Sequence, residues 1–186
     1  MRTTVDIDLE SERLDAEKPY GELIDGVEIR KDAPMMRHSL LQGAMLRLIE
    51  NWAAGHGYAG PECRIWLDAD AERPTTLVPD VAYFRAGRLE ALTEREPQRP
   101  QIAPDLVAEI RSPGDPERNI ARKTELYLGR GVSLVLDVDP DARSIVTHDG
   151  VTVRRFESGD VFAHEAFPGL TFDVAAFFRS GDIGRA

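Results

Sequence analysis

The sequence predicts a mixed α/β fold: a β-sheet containing both strand senses, with a helix on each face. Three observations carry that expectation. Residues 105–138 read as strand, helix, strand, and such a crossover joins parallel neighbouring strands through a right-handed connection. Asp25-Gly26 and Asp149-Gly150 each lie between short β-forming segments, the pattern of a tight antiparallel hairpin. Leu41, Ala44, Met45, Leu48 and Trp52 recur at three- and four-residue steps, which marks one apolar helix stripe.

Each element follows in order. Residues 1–18 are charged and aperiodic and read as a loose N-terminal arm; residues 19–186 read as one domain. Residues 22–29 form the first hairpin. A helix follows over 39–54, with Ser39 or His38 available to cap it and Gly55 and Gly57 to end it. Strands are expected near 62–68 and 78–84, separated by the polar tip Ala69–Pro74. Residues 85–103, rich in Arg, Glu, Pro and Gln, read as a surface connection with a helical turn at 88–92. The apolar stretch 105–111 is a buried strand, broken by Ser112-Pro113-Gly114-Asp115-Pro116. A helix over 117–129 ends at Gly129 or Gly131, and Ser133–Val138 is the next strand. The second hairpin, a strand near 170–173 and a short helix, Val174–Arg179, complete the chain.

Composition narrows the function. With 186 residues, 42% of them hydrophobic and 30% charged, the chain can bury a real core and is not of disordered type. The single cysteine, Cys63, cannot form an internal disulfide, which suits a reducing cytoplasm. The N-terminus lacks the apolar core of a signal peptide, and no apolar run approaches the ~18–20 residues of a membrane span, so a cytoplasmic protein is expected. The net charge of −10 argues against indiscriminate nucleic-acid binding, which draws its affinity from basic side chains. Locally the balance differs. Arg111, Arg118, Arg122, Lys123 and Arg130 outnumber Asp115, Glu117 and Glu125. A modest positive bias on a negative body leaves recognition to a narrow cleft.

The chemistry concentrates on Asp80, Glu109 and Lys123. Two oxygen-donating acids can hold Mg²⁺, and a lysine can steady charge on phosphorus, which together make a phosphodiester-cleaving site. There are two Pro-Asp pairs, at 79–80 and 104–105. Asp105 and Glu109 share a strand and a face, but four residues at ~3.3 Å each separate them by roughly 13 Å, too far for one ion. Asp80 comes from another segment, and sheet pairing can bring it beside Glu109. Its plainer reading is a turn residue after proline. Glu109 interrupts the apolar run Leu106-Val107-Ala108-Glu109-Ile110, and a buried carboxylate needs a cation or donors. Arg111, on the same face, is its plainest partner. Lys123 shares the stripe Ile120, Lys123, Tyr127 and should face the sheet; its plainer reading is a lysine with its stem along the core edge. Glu22, Glu28 and His38 could reach the site as outer ligands or a base, although a histidine at a helix start is more often a cap. His56, Cys63, His148 and His164 lack metal-ligand spacing. No phosphate loop, dinucleotide fingerprint or nucleophile elbow is present.

Taken in order, Glu22-Leu23-Ile24-Asp25-Gly26, His38, Val78-Pro79-Asp80-Val81, the run Ala103 to Pro113, Lys123-Thr124-Glu125-Leu126-Tyr127, and Gly131-Val132 through Val138-Asp139-Pro140 resemble the Uma2 family of "putative restriction endonucleases". The resemblance covers about residues 20–178. It implies a restriction-endonuclease-like core of the PD-(D/E)XK type, with Asp80 and Glu109 as metal-binding acids and Lys123 as the catalytic lysine. The superfamily pattern puts that lysine two residues after the acid, where this chain has Arg111. Arginine keeps its proton and cannot serve as a base. The resemblance therefore implies that the following helix supplies the amine.

The expected function is a Mg²⁺-dependent endonuclease acting on DNA, with Mn²⁺ as an alternative ion. Asp80 and Glu109 hold the metal, and Lys123 and Arg111 act on water and phosphate. The alternative is a catalytically inactive nuclease-fold module that binds DNA or protein. Met35, Met36 and the hairpin over 142–156 offer surface for a homodimer.

Overall fold

A computed structural model describes residues 21–31, 34–67, 72–90 and 101–184. The expected arm at 1–18, part of the tip at 69–74 and most of the connection at 85–103 lie outside them. Along the chain the elements are β1 (Gly21–Ile24), β2 (Val27–Arg30), α1 (Met36–Ala53), β3 (Gly57–Pro61), β4 (Ile65–Trp66), β5 (Thr76–Leu77) and β6 (Val81–Arg85). There follow β7 (Leu106–Ile110), α2 (Glu117–Gly129), β8 (Leu134–Asp139), β9 (Ser144–His148), β10 (Val153–Phe156), β11 (Val161–Phe162), β12 (Phe172–Asp173) and α3 (Val174–Arg179). Among the described residues no helix is long and apolar enough to cross a membrane.

The chain divides into two units. The smaller takes residues up to 33 with 64–78 and 92–103, and holds a four-stranded sheet in the order β2-β1-β5-β4. Its hairpin turns at Asp25 and Gly26, with φ of 52° and 75°. Two consecutive left-handed residues match the right-handed twist of the strands, which is why Asp-Gly was legible there. Arg64 ties this sheet by donating to the Gly21 carbonyl (2.9 Å) and to Thr76 Oγ1 (3.0 Å).

The larger unit holds a six-stranded sheet in the order β10-β9-β8-β7-β6-β3. Only β7 and β8 run parallel, and α2 is the crossover between them. Strand alternation then sorts the side chains. Val81, Tyr83, Leu106, Ala108, Ile110, Leu134, Leu136 and Val138 face the main core, with Leu41, Met45 and Ile49 of α1 and Phe177 and Phe178 of α3. Val107, Glu109, Val135 and Asp137 occupy the intervening positions and point to the opposite face, where α2 lies. A charged residue in the middle strands is therefore presented to α2, while the apolar layer beneath it stays intact.

Three local expectations are corrected. The first helix starts at Met36, not residue 39. Ser39 N–H donates to the Met35 carbonyl, so neither Ser39 nor His38 is a cap; both lie inside the first turn. His38 is buried instead, engaged by a tertiary partner. Gly55, at φ 78°, ends the helix as expected, but Gly57 opens β3. A Cβ on Gly57 would lie 2.2 Å from the Phe84 carbonyl oxygen, so glycine permits the close approach of β3 to β6. The strand expected near 62–68 is reduced to Ile65–Trp66, and the strand expected near 170–173 is β12, whose partner β11 at Val161–Phe162 was not foreseen. Two-residue ladders carry too little alternation to be read from sequence.

Candidate active site

The β6–β7 register sets the first acid. Val81 pairs with Ala108, so Asp80, one residue earlier, falls level with Glu109, one residue later. Asp80 Oδ2 accepts the Ile110 N–H at 2.7 Å, and that nitrogen is bonded to the carbonyl carbon of Glu109. The same oxygen lies 3.2 Å from His38 Nε2. A carboxylate offers only acceptors, so this contact requires the hydrogen on Nε2. The Asp80 carbonyl accepts from Gln42 Nε2 (3.0 Å) and Glu62 N–H (3.4 Å). Asp80 and His38 are both buried. Charge-assisted bonds of about 1.5–3 kcal/mol each offset the cost of placing the carboxylate there.

The second acid sits mid-strand on β7 and is served by α2. Glu109 Oε1 is 2.7 Å from Lys123 Nζ and 2.6 Å from the Tyr127 hydroxyl. Both donors lie on one helix four residues apart, so they project from the same face. The Lys123 side chain is 12% exposed, which places its ammonium inside against the acid and not outward at the core edge. Tyr127 is fully buried.

Arg111 differs from expectation. Its plainest partner was Glu109; instead it grips Asp137 through two bonds, Nε to Oδ1 at 2.7 Å and Nη2 to Oδ2 at 2.6 Å. Glu117, the first residue of α2, takes Nη1 at 2.7 Å and Nη2 at 3.1 Å, and Asp139 lies at 3.8 Å. The hydrogen bonds it donates to Asp137, with help from those to Glu117, hold the guanidinium pKa above its already high ordinary value. The parallel register explains the choice of partner, since Asp137 is level with Glu109 on β8 and shares its face. Asp137 was missed, although it interrupts Leu134-Val135-Leu136-Asp137-Val138 as Glu109 interrupts its own run. Nearby, burial lowers the His148 pKa below its ordinary value; Asp137 opposes that shift and Arg111 adds to it.

The remaining candidates have other duties. Asp105 accepts the Arg85 N–H at 2.9 Å and pairs with Arg88 at 2.9 Å, while its carbonyl accepts from Ser133 N–H at 3.0 Å; it anchors the start of β7. Glu22 belongs to the smaller unit, where it is buried and accepts the Val78 N–H at 2.9 Å.

Among the described residues no three His, Cys, Asp or Glu side chains form a cluster able to hold a metal. The donor chemistry present is a pair of carboxylates. Mg²⁺ takes one or two carboxylates and keeps several waters, so Asp80 and Glu109 fit that ion or Mn²⁺.

Comparison with known proteins agrees with this architecture. A search of curated proteins finds no match. A crystal structure of "a putative nuclease belonging to DUF820" from Anabaena variabilis ATCC 29413 superposes with a TM-score of 0.79. It shares 22% identity, with 94% of this chain and 98% of that chain covered, and shows a common fold. The Uma2 profile, described as "Putative restriction endonuclease", matches residues 8–175, so this chain, with its acid-bearing strands and lysine-bearing crossover helix, belongs to the Uma2 family.

Proposed function

We propose that this protein is a Mg²⁺-dependent endonuclease that hydrolyses phosphodiester bonds in DNA. The observation that carries the reading is a buried mid-strand carboxylate, Glu109, facing the partly buried ammonium of Lys123, with the Asp80 carboxylate seated at the adjoining peptide. Asp80 and Glu109 would hold the ion. When bound, it supplies a water of lowered pKa and neutralises charge developing on phosphorus.

The protein's own groups do the rest. His38 and the Ile110 N–H fix the orientation of Asp80. Lys123 donates from Nζ to the attacking water or a phosphate oxygen, a preorganised charge where the transition state gains negative charge. Arg111 is committed to Asp137 and Glu117, so its part is positional: it fastens the end of β7 and the start of α2 to β8. The net charge of −10 opposes casual contact with phosphate backbones and favours a substrate held in one orientation.

The test is cleavage of supercoiled plasmid, linear DNA and RNA with Mg²⁺ or Mn²⁺, beside calorimetric Mn²⁺ titration of the parent, Asp80→Asn and Glu109→Gln. Expected are metal-dependent DNA cuts and loss of Mn²⁺ binding in both variants. No cutting of DNA or RNA, with parent-like Mn²⁺ binding in both variants, would overturn the proposal. Retention of DNA without cleavage or metal binding would identify the binding module instead.

A further inference from the structure

We infer that Tyr127 is the positioning residue that fixes the Glu109 carboxylate, leaving Lys123 free to turn from the acid to the reacting phosphate; this rests on the proposed nuclease site. The starting observation is that one oxygen takes two donors. Glu109 Oε1 receives both the Tyr127 hydroxyl at 2.6 Å and Lys123 Nζ at 2.7 Å.

The two donors differ in what they can do next. The lysine carries its charge on a flexible four-carbon stem with three rotatable donors. The tyrosine has a rigid ring, fully buried, at the end of α2. Its own carbonyl accepts the N–H groups of Arg130 and Val132, each at 3.1 Å, so its backbone is pinned where the helix stops. A cation held by Glu109 would repel the ammonium but not the neutral phenol. Binding of a metal would then release Lys123 toward substrate while Tyr127 keeps the carboxylate in place. A phenol suits this duty because it adds a hydrogen bond without adding charge. It also explains why the buried ring carries a hydroxyl, a group that costs free energy in an apolar setting unless it finds an acceptor.

The test uses the full chain with Mn²⁺ as the probe. Tyr127→Phe removes one oxygen atom and opens no large cavity. It should stay cooperatively folded with a lowered unfolding midpoint, since a bond to a buried charge is lost, and weaken Mn²⁺ about 10-fold, as loss of a group orienting a metal ligand does. Lys123→Met, which removes the ammonium that the ion must displace from Glu109, should bind Mn²⁺ more tightly than the parent and lose turnover. In the unsubstituted chain, Mn²⁺ should produce a tyrosine ultraviolet difference band that Tyr127→Phe lacks; should that variant fold poorly, absence of any band in the unsubstituted chain still overturns the role. Loss of Mn²⁺ binding in Glu109→Gln, with parent-like affinity in Tyr127→Phe or no tyrosine band, would overturn the role of Tyr127 and leave the site standing. Parent-like Mn²⁺ binding by Glu109→Gln would remove the site itself, and the inference with it.

Discussion

Truncation of Asp137 is the most revealing perturbation, because this residue touches no proposed reacting group. Its side chain is 4% exposed and that of Arg111 is 18% exposed, so their two short bonds are made away from bulk water. Bonds to charged groups contribute about 1.5–3 kcal/mol each, and removing one partner of a buried pair costs about 3–5 kcal/mol. Glu117 still holds the guanidinium after Asp137→Ala but is 78% exposed and screened. We therefore expect a loss near the lower bound, about 3 kcal/mol, from Asp137→Ala. Glu117→Ala alone should cost under about 1 kcal/mol. Urea unfolding followed by circular dichroism measures both, and the double variant should deviate from additivity because the two acids share one guanidinium. The reasoning is refuted by a loss below about 1 kcal/mol for Asp137→Ala, the value of an ordinary surface pair. Nuclease turnover should fall in the same variant, since α2 loses its tie to β8.

Three further outcomes are expected. Lys123→Met leaves Glu109 without its cation and should destabilise by about 3–5 kcal/mol in urea unfolding. Its plasmid cleavage rate should drop about 10²–10³-fold, the usual effect of losing one preorganised charge stabiliser. Gly57→Ala drives a methyl group into the Phe84 carbonyl, and calorimetric unfolding should show a loss of about 1–3 kcal/mol or more. His148 has a folded pKa below its ordinary value of 6.5, so the unfolded chain binds its proton first. Its contribution to stability is complete above that value and is lost as pH falls toward the depressed folded pKa. His148→Gln should accordingly flatten the decline in stability below about pH 6.5, measured by urea midpoints across pH.

Much of this fold was legible because its signals are local. Asp25-Gly26 is a two-residue left-handed turn, and the crossover at 105–138 shows a change from strand to helix period within a few residues. At Asp149-Gly150 a hairpin was rightly expected, but only Gly150 takes a positive φ, and the strand expected from Val151 starts at Val153. The Asp149 side chain holds the Val151 and Thr152 N–H groups in a longer loop. Glu109 was legible for a different reason: a carboxylate inside an apolar strand must have donors. The same argument applied to Asp137 and would have found it. What could not be read were contacts made by register. Nothing local says that His38 meets Asp80, that Arg111 prefers β8 to its own strand, or that Gly57 must be small because a carbonyl from β6 crosses it. Each depends on which strands pair and at what offset, and periodicity within a single segment carries no such information.

Carrying the amine and the phenol on one helix ties their fates. Each residue turns an α-helix by about 100°. One amino acid inserted between Glu117 and Arg122 would therefore swing Lys123 and Tyr127 away from Glu109 together, whereas a lysine on the strand itself would be bound to that strand's pleat. Drift in this site is thus all-or-none in angle yet adjustable in reach, as on a lever: tilting the helix about its fastening at Arg111 changes how far the amine extends without altering the acids it serves.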